Sequence, residues 1–249
     1  MARLFISNVL GSDLCLLERF IIYYNRFNPY CYLFTLNTDE NFHELAKFII
    51  HRNCRNYVIQ EWNGEFNEND KVEKEHALID LHCLDDDYII YADSDEFQYY
   101  PDGTLEGLMS GGDYLAGKLL ERVSIDGSLT VLDNRLLEEQ YPLGGSINSL
   151  TGACPYKIVC ARKTVELDKG HHGLKDQDAI RDWTITVHHF KWYDGTIDRF
   201  KREMNLTHES LEMWRIEHSK FLEHFNTFGK ININDPWLGF KHVDEVLNI

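Results

Sequence analysis

The alternation of strand and helix patterns over the first hundred residues constrains the fold most. Short apolar runs at 4–9, 31–36, 57–60 and 88–92 are typical of strands, and segments with helical periodicity separate them. Strand–helix–strand order favours a doubly wound sheet with right-handed crossovers. We therefore predict an α/β fold with a mostly parallel central sheet flanked by helices. The whole chain, residues 1–249, is predicted to form one domain.

The helical segments are predicted from their apolar faces. A further helical region is expected from Thr196 onward, after strand-like runs at 113–118 and 184–189. The buried faces predicted for the second and third helices and for the C-terminal region are Phe42, Leu45, Phe48 and Ile49; Val72, His76, Ile79 and Cys83; and Leu211, Trp214, His218, Phe221, Phe225 and Phe228. We expect these side chains to pack in the core.

Composition limits the expected partners and compartment. The formal net charge is −16, and so acidic a surface repels phosphate backbones, which makes nucleic acid an unexpected partner. The N-terminus is too short for a signal peptide, and no apolar run reaches the length of a transmembrane segment. The six cysteines include no CxxC pair and lie mostly in apolar stretches. These features predict a cytoplasmic protein with reduced thiols.

Two carboxylates follow the fourth predicted strand directly. Asp93 and Asp95 are separated by one residue, and the first strand ends near Asn8 at the same edge, where doubly wound sheets bind ligands. Carboxylates are hard oxygen donors suited to Mn²⁺ or Mg²⁺, and such an ion can neutralise the charge on a departing diphosphate. The pattern predicts a divalent-cation site for a diphosphate ligand, although a solvated acidic turn would have the same residues.

A third metal ligand is expected from residues 187–192, at the end of a late strand. Adjacent strand residues point to opposite faces, so only one of His188 and His189 can face a cation. Lys191 could meet a diphosphate as a point charge, and Trp192 could line a sugar pocket. A strand histidine that hydrogen-bonds within the core is the alternative interpretation.

The order of several motifs resembles bacterial family 2-like and family 92-like glycosyltransferases of the GT-A type. The motifs are DSDEF at 93–97, GKLLERV at 117–123, KIV at 157–159, GHH at 170–172 and HHFKW at 188–192. The resemblance implies a GT-A fold with a nucleotide-binding half at 1–97, an acceptor-side half at 98–195 and C-terminal helices at 196–249. It also implies a nucleotide-sugar donor, commonly a UDP-sugar, a glycan or other hydroxyl acceptor, and Mn²⁺ or Mg²⁺ as cofactor.

Residue roles follow from the same resemblance. It implies that Asp93 and Asp95 bind the metal and that His189, the histidine before the aromatic residue, is the further ligand. Asn8, Asp93, Arg122, Lys157 and Lys191 are the candidate contacts to the donor, with Arg122 and Lys157 placed at the diphosphate or the acceptor. The GHH segment at 170–172 could shape the acceptor side.

The resemblance also implies inversion, which needs a carboxylate to take the proton of the acceptor hydroxyl. Glu121 is the first candidate base, and Asp176 and Asp178 are the alternatives. Each of these acids could also be an ordinary surface residue.

Two other functions remain open from the sequence. A haloacid-dehalogenase-like phosphohydrolase also carries a DxD after an apolar strand, with the first aspartate, here Asp93, as nucleophile. Its strand would normally come first rather than fourth. A non-catalytic GT-A domain that binds carbohydrate is the other alternative.

Overall fold

A computed structural model describes residues 3–10, 14–37, 40–64, 66–175, 184–245 and 247–249. The chain divides into two compact units. The first contains residues 1–118 and 156–187, and the second contains residues 119–155 and 188–249.

The first unit is built on four parallel strands in the order β3-β2-β1-β4. These are β1 (Arg3–Leu10), β2 (Cys31–Asn37), β3 (Tyr57–Trp62) and β4 (Tyr88–Tyr91). Three helices alternate with them, α1 (Leu14–Asn25), α2 (Glu40–Asn53) and α3 (Glu68–His82). The strand–helix alternation predicted from the sequence is confirmed in this part of the chain.

Beyond β4 the sheet becomes antiparallel. The next elements are β5 (Glu96–Tyr99), α4 (Thr104–Met109), β6 (Tyr114–Val123), β8 (Tyr156–Arg162) and β9 (Ile185–His189). Strand β8 pairs antiparallel with β4 on one side and with the N-terminal part of β6 on the other. The sheet is therefore mixed, and the prediction of a mostly parallel sheet is wrong. Parallel pairing requires crossover connections, and the regular strand–helix repeat that supplies them ends at β4.

One core cluster of the first unit lies between this sheet and helix α3. Gly117 on β6 is in close contact with the neighbouring strands, because a Cβ placed on it would approach Val187 Cγ2 to 2.6 Å and Val159 Cγ1 to 2.8 Å. The buried cluster consists of Leu33, Leu78, Ile79, Cys83, Ile89, Tyr91, Ala116, Ile158, Ala161 and Leu167. Burial of these side chains positions the carboxyl end of β4.

Helix α2 buries a different face from the one predicted. Phe42, Leu45 and Phe48 are 40%, 48% and 61% exposed, whereas Ala46 and Ile50 are fully buried. The helix carries two apolar series offset by about one residue, and periodicity alone did not show which one faces inward.

Helix α3 buries charged residues in its first half. Lys71 and Glu75 are buried together with Ile79, whereas Val72 is partly exposed and His76 is exposed. The predicted stripe is therefore wrong at His76, only partly buried at Val72, and correct at Ile79 and Cys83. Charged residues face inward here because they pair with other buried groups of the first unit.

The second unit combines a small antiparallel sheet with helices. Strand β7 (Leu143–Gly145) pairs with the C-terminal part of β6 and with β10 (Lys241–His242). The helices are α5 (Leu137–Gln140), α6 (Asn148–Thr151), α7 (Thr196–Glu203) and α8 (Glu212–Phe228). The predicted C-terminal helical region is confirmed. None of the described helices is long and apolar enough to cross a membrane.

The aromatic core of the second unit lies against α7 and α8. Leu211, His218 and Phe221 of the predicted stripe are buried, whereas Phe228 is half exposed. Trp192, predicted to line a sugar pocket, is buried in this core against Phe221, so that prediction is wrong.

Candidate functional site

The carboxyl end of β4 lies at the point where the strand order of the parallel sheet reverses. Strand β1 has β2 on one side and β4 on the other, although β2 and β3 precede β4 in the sequence. Ile6 of β1 pairs with Tyr91 of β4. Asn8 and Asp93 each follow these residues by two positions, so their backbones lie toward the same edge of the parallel sheet. Open α/β sheets bind ligands in the crevice at such a switch point.

Asp93 accepts hydrogen bonds from two buried lysines. The Lys157 ammonium lies 2.7 Å from Oδ2 and the Lys71 ammonium lies 3.2 Å from Oδ1. Lys157 also donates to Oε1 and Oε2 of Glu96, at 2.8 and 2.7 Å. Two carboxylates and two ammonium groups thus form a charge-balanced group, which we call the strand-end quartet: Lys71, Asp93, Glu96 and Lys157.

Asp93 and the two lysines of the quartet hold their charges at neutral pH. Burial alone would raise the pKa of Asp93, but the charges of Lys157 and Lys71 outweigh it and hold that pKa well below its usual range. Burial would lower the pKa of Lys71 and of Lys157, and the nearby carboxylates, Asp93 foremost, raise both pKa values instead. Asp93 is therefore a carboxylate, and the two lysines are ammonium ions.

A second buried pair joins Glu75, on the same helix as Lys71, to His171. Glu75 Oε2 is 3.2 Å from His171 Nε2, and the His171 ring lies 4.5 Å from the Tyr91 ring. Burial would raise the pKa of Glu75, but His171 and then Lys71 lower it. His171 has a left-handed backbone, with φ of 61°. The segment 170–172, predicted to shape the acceptor side, thus contacts α3 through His171.

The remaining residues of the DxD motif are buried. Asp95 is 7% exposed, and Ser94 is fully buried with no hydrogen-bond partner for its hydroxyl among the described residues. The Lys157 ammonium donates to three carboxylate oxygens, one of Asp93 and two of Glu96. Direct contact between Lys157 and a diphosphate would therefore require the ammonium to leave Asp93 or Glu96.

The donor chemistry at this strand end fits a divalent cation that a substrate helps to hold. Within the described ranges, no three His, Cys, Asp or Glu side chains form a group that could hold a metal. Mg²⁺, however, is usually bound by one or two carboxylates plus substrate phosphates. Each Asp93 oxygen accepts one ammonium hydrogen bond and retains a further lone pair. Asp93 and Asp95 thus offer the oxygen donors that such an ion prefers.

The second unit contains the other predicted site residues, centred on Glu121 of β6. Its Oε1 lies 3.0 Å from His189 Nδ1, and its Oε2 accepts the indole N–H of Trp192. Burial would raise the pKa of Glu121, but His189, Lys191 and the Trp192 hydrogen bond together lower it. The Lys191 ammonium lies 5.8 Å from the centre of the Trp192 ring. We call Glu121, His189 and Trp192 the Glu121 cluster.

Arg122 and His188 form a buried pair beside this cluster in the sequence. The Arg122 guanidinium donates to the Tyr141 carbonyl at 3.0 and 2.7 Å and to His188 Nδ1 at 2.8 Å. Burial lowers the pKa of Arg122 to about 10, and burial and the Arg122 charge lower the pKa of His188 to about 3. His188 is therefore neutral near pH 7 and accepts a hydrogen bond from the buried Arg122 guanidinium. The assignment of His189 as the metal ligand stays a prediction.

Some of the predicted residues lie outside what the structure describes, and others were missed. Asp176 and Asp178 fall in 176–183, outside the described residues. No role was predicted for Lys71, Glu75 or Glu96. Lys71 and Glu75 are one helical turn apart on α3, on the same stripe as Leu78, and that spacing is the signal that could have indicated buried charge.

Comparison with known proteins does not identify a function, so any functional assignment depends on the residues described above. No family model matches the chain, and no curated protein matches it. One similar solved structure is a Bacillus anthracis protein assigned as a glucose-1-phosphate thymidylyltransferase, in complex with a sucrose, with 13% identity and a TM-score of 0.36 over 90% of this chain and 83% of that one. Another is the nucleoside-diphosphate-sugar pyrophosphorylase of Vibrio cholerae, with 11% identity and a TM-score of 0.32 over 69% and 71%. Likeness at these scores is too distant to support an argument about function.

Proposed function

We propose that the protein is a glycosyltransferase with a GT-A-type fold. It would move a sugar from a nucleotide-sugar donor, with UDP as the expected nucleotide, to a hydroxyl of a glycan or other acceptor. The observation that carries this proposal is the position of Asp93 and Asp95 at the carboxyl end of β4, beside the switch point of the parallel strands. Ligands of open α/β sheets bind at that place, and two carboxylates there suit a cation-bound diphosphate.

The proposed reaction joins the acceptor oxygen to the anomeric carbon of the donor sugar. The bond from that carbon to the diphosphate breaks, and the nucleoside diphosphate leaves with the bonding electrons. The acceptor proton passes to a protein base, as inversion requires. Mn²⁺ or Mg²⁺, with Asp93 and Asp95 as its proposed protein ligands, would neutralise the charge on the leaving diphosphate.

The chain's own residues prepare this strand end in the metal-free protein. Lys71 and Lys157 keep Asp93 ionised and hold its carboxylate by one hydrogen bond on each oxygen. A carboxylate fixed by two ammonium groups does not need to reorient when the donor binds, which favours preorganised binding. The base stays open between Glu121 and the alternatives Asp176 and Asp178.

A thermal-shift experiment tests the proposal. The wild-type protein is melted with UDP or UDP-sugars, with and without Mn²⁺. Free ligand at 100 times its Kd should stabilise the fold by about 2.7 kcal/mol, which corresponds to a rise in Tm of about 5–10 °C. Asp95→Ala should remove the shift, whereas Asp86→Ala, which changes an exposed acid before the same strand, should retain it. If Asp95→Ala shows the wild-type shift, the assignment of the site is wrong.

The same samples separate the alternative functions. Hydrolysis of an aryl phosphate that is lost in Asp93→Asn would indicate a phosphohydrolase with Asp93 as nucleophile. Binding of sugar nucleotides without any donor hydrolysis or transfer would indicate a non-catalytic domain. Slow, Mn²⁺-dependent release of UDP from one UDP-sugar is the result that we expect.

A further inference from the structure

Helix α2 exposes an apolar face that the proposed function does not use. Phe42, Leu45 and Phe48 are exposed, and Phe48, near the middle of the helix, is the most exposed of them at 61%. The helix packs into the core through Ala46 and Ile50, which are fully buried. Residues three apart on a helix are neighbours, so the exposed side chains form one apolar strip. Contiguous apolar surface of this kind commonly marks a site of protein association.

The centre of this strip has a charge of opposite sign on each side. Glu44 lies four residues before Phe48 and Arg52 lies four residues after it, and both are exposed. Each helical residue advances about 1.5 Å and turns about 100°, so both charges lie on the side of the helix that carries Phe48, about 6 Å from it along the axis. Glu44 accepts a hydrogen bond from Lys47 through Oε1 at 3.2 Å, and its side chain is still 83% exposed.

This order of charges is self-complementary for two antiparallel copies of α2. With a two-fold axis beside Phe48, the two Phe48 side chains meet, and Glu44 of each copy faces Arg52 of the other copy. Such a contact uses the same patch on both subunits, as a symmetric dimer requires. A parallel arrangement would place Glu44 against Glu44 and Arg52 against Arg52, and facing like charges oppose association.

The charge of α2 permits this contact although the chain is acidic. The formal net charge of −16 makes two copies repel each other over much of their surfaces. Helix α2 itself carries no net charge, because it contains two acidic and two basic residues: Glu40, Glu44, Lys47 and Arg52. A second copy of this chain therefore fits the face by shape, by apolar character and by charge.

We propose that α2 is the contact surface of a homodimer, in which the two-fold axis passes beside Phe48 and Glu44 pairs with Arg52 of the other copy. One helix face is smaller than a standard interface, so we expect weak association with a micromolar Kd. The inference does not depend on the proposed function, since none of these residues belongs to the candidate site.

Sedimentation velocity of the full chain between about 1 and 100 μM measures the dimer Kd. Phe48→Glu should raise this Kd about 30-fold or more, because it removes the central apolar contact and places two carboxylates beside the axis. Met213→Glu is the matched control, since Met213 is 59% exposed on helix α8. It adds the same charge outside the proposed interface and should leave the Kd unchanged.

Charge reversal tests the antiparallel arrangement itself. Glu44→Arg and Arg52→Glu each make facing residues alike in charge, and each should raise the dimer Kd about tenfold or more. An equimolar mixture of the two variants should form a mixed dimer, because every facing pair then joins opposite charges again. The double variant Glu44→Arg, Arg52→Glu should also regain the wild-type Kd.

The outcomes decide between this dimer and other uses of the face. A wild type that sediments as a monomer over the whole range leaves the face to a different partner and overturns the inference. A dimer that Phe48→Glu leaves intact also overturns it, since the copies then meet elsewhere. Two single charge variants that fail to associate when mixed refute the pairing of Glu44 with Arg52. Melting temperatures near that of the wild type show that each variant is folded.

Discussion

Replacement of Lys157 by methionine should be among the most destabilising single changes at the carboxyl end of β4. Methionine keeps most of the length and volume of the side chain and removes only the ammonium group. Lys157 is 2% exposed and bonds to Asp93 Oδ2 and to both oxygens of Glu96. The variant leaves Glu96 without its ammonium, while Asp93 retains Lys71 at 3.2 Å.

The expected loss follows from leaving the buried Glu96 carboxylate without its neutralising ammonium. Removing one partner of a buried ion pair typically costs about 3–5 kcal/mol. For a domain of 150–250 residues this corresponds to a fall in Tm of about 6–20 °C. Lys157→Met combined with Glu96→Gln should recover part of the loss, because the buried carboxylate that lost its ammonium is removed as well.

Calorimetric melts at pH 7 provide the measurement, and Lys175→Met is the matched control. Lys175 pairs with Glu166 at 2.6 Å, but the two side chains are 58% and 72% exposed, and an exposed pair contributes about 0–1 kcal/mol. If Lys157→Met melts within about 2 °C of this control, the strand-end quartet does not hold Asp93 as we argue.

The pH dependence gives a second check on the same variant. The pKa of Asp93 is depressed in the folded protein, so its pairing stabilises the fold above the unfolded pKa of about 3.9. That contribution is lost as the pH falls through the folded pKa. The difference in stability between wild type and Lys157→Met should therefore narrow in acid, and a difference that widens below pH 4 would contradict the assignment.

Two further predictions concern packing and acid stability. Gly117→Ala should cost about 1–3 kcal/mol in urea unfolding through overpacking, because its Cβ would lie 2.6 Å from Val187 Cγ2 and 2.8 Å from Val159 Cγ1. Gly107→Ala, with open space around the new Cβ, is the control, and equal stability of the two variants would refute the contact. The folded pKa of His188 is about 3, below the unfolded value of about 6.5. Between these two pH values the unfolded chain binds more protons than the folded protein, so the free energy of unfolding should rise from pH 3 to 6.5. His188→Gln should flatten this rise, and an unchanged slope would contradict the buried neutral imidazole.

The parallel part of the fold could be predicted because its signals are local. Apolar runs separated by helical periodicity identified β1 to β4 and the helices between them. The pairing of β8 with β4 and β6 joins segments far apart in the sequence, and antiparallel partners of this kind leave no repeat to detect. The sequence therefore indicated the strands but not the mixed character of the sheet.

The candidate site also combines residues that local sequence predicts with partners that it does not. The spacing of Asp93 and Asp95 after an apolar strand is visible in a few residues of sequence. The pairing of Asp93 with Lys71 and Lys157 is not, because these residues lie 22 and 64 positions away. Hydrophobic patterning assigned the charges of α3 to solvent, and only tertiary structure shows which of them are buried.

The charged inner face of α3 has a consequence for how that helix is oriented. Adjacent residues on a helix are about 100° apart, so a rotation that brought Val72 inward would turn Lys71 away from Asp93. An apolar face tolerates such a rotation better than a salt bridge does, because hydrophobic contact is not directional. The ion pairs of Lys71 and Glu75 thus fix the rotation of α3 about its own axis. Apolar substitutions of the same size would keep these positions buried but would no longer specify that rotation.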